Sequence, residues 1–177
     1  MSKIKEIVKK ECLTKDDIIF LLSLENQDDL KVLYVRAYEL KAKYIGKKVF
    51  YRGIIEFSNI CRKDCYYCGI RKDNQNFKRY EMSNDEIIEC ALFAHENNYG
   101  SLVLQSGERR DDLFIDKVEY LVREIKKRSN DKLGVTLCVG EQNEEVFKRF
   151  YDAGAHRYLL RIETTNKDLY QKLHPQD

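Results

Sequence analysis

Four short apolar runs recur through this sequence, each followed by a segment with helical spacing, and that alternation limits the fold more than any other feature. The runs are VFYRGIIEF (49–57), SLVLQ (101–105), LGVTLCVG (133–140) and HRYLLRIE (156–163). Between them stand NDEIIECALFAHENN, opened by Ser83 and Glu86 at capping-box spacing, then LFIDKVEYLVREIKKR after the turn SGERRDD, then EEVFKRFYDAG. A last helix begins near Asn166 and runs to the end of the chain. Strands that alternate with helices pair in parallel through right-handed crossovers. Short, wholly apolar strands suit a sheet covered on both faces, in a barrel or a doubly wound sheet. Residues 1–45 read as helices: Thr14 and Asp17 are spaced as a capping box, and DDLKVLYVRAYELKAKYI carries apolar residues at helical spacing up to Gly46. The expected fold is therefore α/β, with a helical segment at 1–45 and about four βα units of a TIM-type barrel at 46–177. A complete eight-stranded barrel takes about 250 residues. The chain has 177, so it is expected to be a fragment, exposing apolar barrel surface and inactive or prone to aggregate on its own.

Composition narrows the setting. With 43% hydrophobic and 35% charged residues the chain has enough apolar material for a core, which argues against disorder. Lys and Arg total 32 against 30 Asp and Glu, a balance that gives no reason to expect nucleic acid or an anionic membrane as partner. No apolar run approaches the roughly 18 residues of a membrane span. The basic start MSKIKEIVKKE lacks the apolar stretch of a secretory signal. The expected location is the cytoplasm, where thiols stay reduced and a disulfide framework is out of place.

The six cysteines are unevenly spread. Cys12, Cys90 and Cys138 are single, with Cys12 and Cys90 in helical patterns that suggest packing. Cys61, Cys65 and Cys68 fall within eight residues of the loop SNICRKDCYYCGIRKDNQNFKRY, directly after the first strand. A tight trio in a cytoplasmic protein points to metal ligation. Three thiolates can hold three corners of a four-iron, four-sulfur cube and leave the fourth iron open to a substrate or cofactor. A structural zinc would need a fourth protein ligand. Cys90, His95, Cys138 or His156 could supply one, yet none stands at motif spacing from the trio. Three inert core cysteines are the remaining alternative. His95, His156 and His174 show no ligand pairing and are read as non-catalytic.

The C-x3-C-x2-C spacing, with Tyr67 just before the third cysteine, resembles the signature of the radical S-adenosylmethionine (radical SAM) enzymes. YCGIRKDNQNFKRYEMS, VLQSGE, VTLCVGE and RYLLRIETTN, in this order from about Gly46 onward, resemble the HydE family of FeFe-hydrogenase maturases. Biotin synthase and methylornithine synthase are similar at a greater distance. The resemblance implies a 4Fe–4S cluster on Cys61, Cys65 and Cys68, with SAM chelating the open iron and cleaved to methionine and a 5'-deoxyadenosyl radical. It implies that Tyr67 and the backbone near Gly69 pack on the adenine. It also puts Ser106, Gly107 and Glu108 in the place of the family's Gly-Gly-Glu motif, which holds the SAM ammonium. Serine there departs from the motif's first glycine. The HydE resemblance further implies a small organometallic substrate, other hydrogenase maturases as partners, and an electron donor such as ferredoxin or flavodoxin.

The residues themselves add detail. Arg161 and Glu163 are two apart in the fourth run, so on a strand they share a face at its C-terminal end, where barrels place active sites. The resemblance gives Glu163 the SAM ribose and Arg161 a neighbouring polar role; a solvated ion pair is the plainer alternative. In VTLCVG, the set Thr136, Cys138 and Gly140 is smaller and more polar than Val135, Leu137 and Val139, so Cys138 is expected inside the barrel near SAM or substrate. The cysteine loop also carries Arg62, Lys63, Arg71, Lys72, Lys78 and Arg79. Such cations would hold an anionic cluster or dock an acidic donor, and a solvated loop face is expected for most of them.

Overall fold

In the computed structural model, residues 3–76 and 78–175 are described; residues 1–2, Phe77 of the cysteine loop and residues 176–177 lie outside them. The chain divides into two compact units, 1–49 and 50–177.

The first unit holds α1 (Lys3–Ile7), α2 (Lys15–Leu22) and α3 (Gln27–Tyr44). The Thr14–Asp17 capping box is present, and Lys10 Nζ adds an ion pair to the Asp17 carboxylate at 2.8 Å. Asn26 caps α3 through the backbone N–H groups of Asp28 and Asp29. Arg36 Nε donates to the Val8 carbonyl at 2.9 Å, tying α3 to the end of α1, whose Ile4 and Ile7 are buried. Cys12 is exposed and lies between helices, so it packs nothing. No helix among the described residues is long and apolar enough to cross a membrane.

The second unit is a four-stranded parallel sheet of β1 (Arg52–Ser58), β2 (Ser101–Ser106), β3 (Gly134–Cys138) and β4 (Arg157–Tyr158), in spatial order 1-2-3-4. A doubly wound sheet reverses its strand order at a switch point. This one does not, so its crossovers all go the same way and the arrangement is that of a partial barrel. The crossovers contain α4 (Asn84–Glu96), α5 (Asp112–Arg128) and α6 (Glu144–Asp152), and α7 (Lys167–Leu173) comes after β4.

The period of two along each strand sorts its side chains. Ile55, Phe57, Leu102, Leu104, Val135 and Leu137 are buried in one core with Ile87, Ile88, Phe114, Val118, Leu121 and Ile125 of α4 and α5. Burying each such side chain is worth about 1.5–3 kcal/mol, which is why helical spacing and strand alternation converge on this face. The intervening residues Glu56, Gln105 and Cys138 face away from the core and line a cavity on the other side. The small, polar set of β3 thus points inward, as its pattern implies.

Element ends differ from expectation in three places. Val49, Phe50 and Tyr51 are exposed and precede β1, which starts at Arg52. β4 is only two residues long, pairing Thr136 with Arg157 and Leu137 with Tyr158. Leu159 N still donates to Leu137 O at 2.8 Å, after which the chain leaves the sheet, and Glu163 takes a left-handed φ of 58°. Arg161 and Glu163 therefore lie beyond the strand and share no strand face. Third, α7 ends at Leu173 with His174 as its C-cap, just before Pro175, which cannot continue a helix. Cys90 on α4 is exposed rather than packed.

Candidate active site

The cysteine loop begins where β1 loses register. The pairing of β1 with β2 slips between Glu56 and Ser58, and such bulges bend a strand end and re-aim the chain beyond it. Ser58 and Asn59, both buried, fasten the returning chain. Ser58 Oγ donates to Tyr80 O, Asn59 Nδ2 donates to Lys78 O, and Asn59 Oδ1 accepts from Tyr80 N at 2.8 Å.

Within the loop, Arg79 does what no local pattern shows. Its guanidinium donates to the carbonyls of Asn59 (2.7 Å), Ile70 (2.8 Å), Arg71 (2.6 Å) and Asn74 (3.0 Å). A planar fork with five donors can satisfy several converging carbonyls, whereas an ammonium cannot match that geometry. Arg79→Ala is expected to leave these carbonyls without their shared donor. Each net hydrogen bond to a charged group contributes about 1.5–3 kcal/mol, so faster backbone amide exchange across residues 59–74 is the result to look for. Arg79→Lys should recover only part of the protection.

The other loop cations are mostly engaged as well. Arg62 pairs with Glu108 at 3.2 Å, Lys63 with Glu141 at 3.3 Å and Arg71 with Asp64 at 3.7 Å, while Lys72 and Lys78 are exposed. Arg62 is exposed as well despite its ion pair, so the expectation of a solvated loop face holds for Arg62, Lys72 and Lys78 and not for Lys63, Arg71 and Arg79.

The residues that the sequence assigns to cluster and cofactor line one cavity of about 400 Å³ at the C-terminal ends of the strands: Cys61, Tyr67 and Gly69 with their two neighbouring cysteines, the Ser106–Glu108 turn, Cys138, Arg161 and Glu163. The cysteine loop and the turn after β2 are in intimate contact. Glu108 N donates to Cys61 Sγ at 3.3 Å, Arg62 N to Glu108 O at 2.9 Å and Gly107 N to Ser58 O at 3.2 Å. A Cβ at Gly107 would stand 2.3 Å from Ile60 O and 2.6 Å from Cys61 Cβ, so only glycine lets the two segments approach.

Glu108 is buried and fully engaged. Its carboxylate accepts from Arg62 and from Glu141 N (2.9 Å), and Arg110 Nε stands 3.3 Å from it. Gly140, at φ 81°, leaves room for that side chain where a Cβ would strike it. The Glu108 carboxylate is thus committed to joining the first three βα loops, and the turn around it is what faces the cavity.

The thiols fit an iron–sulfur cluster. Burial, and next the neighbouring Cys68, push the Cys65 thiol above its ordinary range. Crowded thiols in that state need positive charge to ionise, and coordinated iron supplies it. Cys61 already accepts a backbone N–H, the kind of hydrogen bond that tunes cluster sulfurs. Among the described residues, no three His, Cys, Asp or Glu side chains converge tightly enough for a single metal ion. A cube asks for less convergence, because each thiolate binds its own iron corner.

Around the thiols, burial raises Tyr67 to about 12, with the Cys65 thiol adding to it. Tyr67 therefore stays a neutral phenol at any ordinary pH. Burial also raises the Cys138 thiol, against the opposing charge of Arg161. Arg161 thus stands close enough to Cys138 to be felt there. Several cavity residues escaped the sequence reading, among them Glu56, Gln105, Tyr170 and His174. Glu56 and Gln105 are opposite in register and joined at 2.9 Å, and strict alternation with Ile55 and Phe57 would have placed Glu56 inside. Tyr170 and His174 come from α7 and its cap, and no spacing rule connects them to a loop about a hundred residues earlier.

Comparison with known proteins bears on this geometry. The Radical SAM superfamily model matches residues 55–177. Over 174 residues the sequence is 42% identical to the [FeFe] hydrogenase maturase subunit HydE of Thermotoga maritima, covering 98% of this chain and 49% of that one. It is 34% identical over 168 residues to biotin synthase of Staphylococcus aureus, covering 93% of this chain and 50% of the relative. Methylornithine synthase (PylB) matches structurally with a TM-score of 0.82 and 26% identity, covering 98% of this chain and 51% of that structure. The chain spans about half the length of the relatives it matches.

Proposed function

Since the chain belongs to the radical SAM superfamily, a family of enzymes that use a 4Fe–4S cluster and S-adenosylmethionine, we propose that Cys61, Cys65 and Cys68 are its cluster ligands. The observation that carries this reading is the single cavity into which one loop delivers all three thiols, against a glycine turn that donates an N–H to Cys61. When bound, the reduced cluster supplies the electron that splits SAM into methionine and a 5'-deoxyadenosyl radical.

The chain's own residues bind and orient. Tyr67 and Gly69 flank the adenine, and Glu163 accepts from the ribose hydroxyls. The ammonium group goes to the Ser106–Gly107 turn, because the Glu108 carboxylate is already taken by Arg62, Arg110 and Glu141 N. Arg161 and Cys138 stand on the substrate side, where a guanidinium suits a carboxylate. Residues 1–45 form a helical segment that precedes the barrel portion at 46–177.

The higher identity to HydE than to biotin synthase favours a HydE-like role. In that role the site would take an iron–carbonyl–cyanide compound carrying cysteine, delivered by a partner maturase, on the way to the diiron site of FeFe-hydrogenase, and the bound cofactor would supply the radical chemistry. Lys72 and Lys78, exposed on the cysteine loop, suit docking of an acidic electron donor such as ferredoxin or flavodoxin in the cytoplasm.

Anaerobically reconstituted chain is expected to hold about four irons and as many acid-labile sulfides. Stoichiometric zinc without sulfide would return the protein to the non-catalytic zinc-binding alternative. The finer role is tested with a protein that carries this sequence at the full length of its relatives, which is expected to recover hydrogenase activity in a maturation mixture lacking HydE. Formation of biotin from dethiobiotin would instead assign the chain to the carbon-directed branch.

A further inference from the structure

The C-terminal turn of α7 reaches the cysteine loop by two routes. Along the main chain, Tyr66 N donates to Leu173 O at 3.0 Å. Between side chains, the Tyr67 hydroxyl lies 2.8 Å from His174 Nε2, and the two rings meet edge to face at 5.5 Å. His174 is itself held firmly. Its Nδ1 is 2.9 Å from Tyr170 O, its ring stacks on Tyr170 at 4.0 Å, and it is only 6% exposed. A backbone carbonyl can only accept, so Nδ1 carries the hydrogen. In the tautomer this assigns, Nε2 accepts and the Tyr67 hydroxyl donates. Tyr170 in turn reaches Glu141 through its hydroxyl at 3.4 Å.

Tyr67 sits inside the tight turn formed by Cys68 N and Cys65 O at 2.9 Å, so fixing its ring fixes the last two cysteines of the trio. We infer that His174 is a positioning residue that acts through Tyr67, and that the end of α7 buttresses the turn carrying Cys65 and Cys68. The fourth βα unit thereby closes on the first within the described residues, and the aromatic that flanks the cofactor is oriented before the cofactor arrives. This inference rests on the cluster reading above for its purpose, though not for its test.

The test is made on metal-free chain, by following alkylation of each cysteine by mass spectrometry under native conditions. His174→Ala should speed modification of Cys65 and Cys68 by about threefold to tenfold, the equivalent of one net hydrogen bond. Tyr67→Phe, which keeps the ring and the Tyr66–Leu173 bond but also removes the phenol's own hydrogen bond with the Cys65 thiol, is read at Cys68, where it should give a similar rise and the double variant no more than either alone. His174→Gln, which returns an acceptor near the Nε2 position, should restore most of the protection. Cys138, which lines the same cavity but belongs to β3 and not to the cysteine turn, should react at its native rate in every variant. Unchanged rates at Cys65 and Cys68 would overturn the inference. So would an equal rise at Cys138, which would make α7 a support of the whole fold and not of the turn. Failure of the unsubstituted chain to take up iron would count against the cluster reading, while the alkylation rates would still decide the buttress.

Discussion

Replacing any one of Cys61, Cys65 or Cys68 with alanine is expected to abolish cluster binding, leaving the reconstituted protein colourless and its iron at background. An iron with neither a thiolate nor an exchangeable partner on its outer side is a labile corner. A second open corner next to the one reserved for SAM exposes the cube to loss. Fold should survive, because none of the three thiols belongs to the buried apolar core. Circular dichroism would therefore remain native while the broad visible absorbance disappears. Alanine at Cys90 or Cys12, both exposed, should change neither. If one of the three loop variants retained full iron and sulfide, that residue would be no ligand, and Cys138 on the same cavity would be the replacement to test next.

Gly107→Ala is the other large effect. The added methyl would meet Ile60 O at 2.3 Å and Cys61 Cβ at 2.6 Å, and neither is the end of a flexible side chain. Something in the backbone must move. Overpacking of this kind costs about 1–3 kcal/mol, which for a unit of this size lowers Tm by roughly 4–12 °C. The displacement falls on the strand-to-loop junction that carries Cys61, so cluster occupancy should fall with stability. Gly69→Ala is the control. Nothing lies within 4 Å of its Cβ position, so it should leave Tm unchanged although it lines the same cavity. Equal behaviour of the two variants would show that the turn after β2 does not set the position of Cys61.

The sequence disclosed more of the site than of its supports. Strand alternation identified the inward set of β3, and capping boxes at Thr14 and Ser83 marked two helix starts, because both signals depend on neighbours a few residues apart. The cysteine trio, the Ser106–Glu108 turn and the Arg161–Glu163 pair could be gathered by motif, and the fold brings them to one cavity. What stayed hidden is long-range. Arg79 reads as one more loop cation until its fan of carbonyl acceptors is visible, and those acceptors are main-chain atoms that every residue type carries. Glu108 reads as a free ligand until Arg62, Arg110 and Glu141 are seen around it. His174 showed no ligand pairing, and its link to Tyr67 spans 107 residues. The length of β4 was overestimated for a related reason. HRYLLRIE has strand-like composition throughout, but its ladder stops at Tyr158, and Glu163, in a left-handed conformation, lines the cavity beyond the strand. A backbone in that conformation beside a ligand cavity is the kind of local cost that functional sites carry.

Electron paramagnetic resonance of anaerobically reconstituted, dithionite-reduced chain, recorded with and without SAM, tests the central claim most directly. Three thiolates on one loop leave one iron open, and the cavity beside it carries the groups we assign to SAM. The expected result is a 4Fe–4S signal whose shape changes when SAM is added. A folded chain that takes up no iron, or a cluster signal that SAM leaves unchanged, would contradict the account.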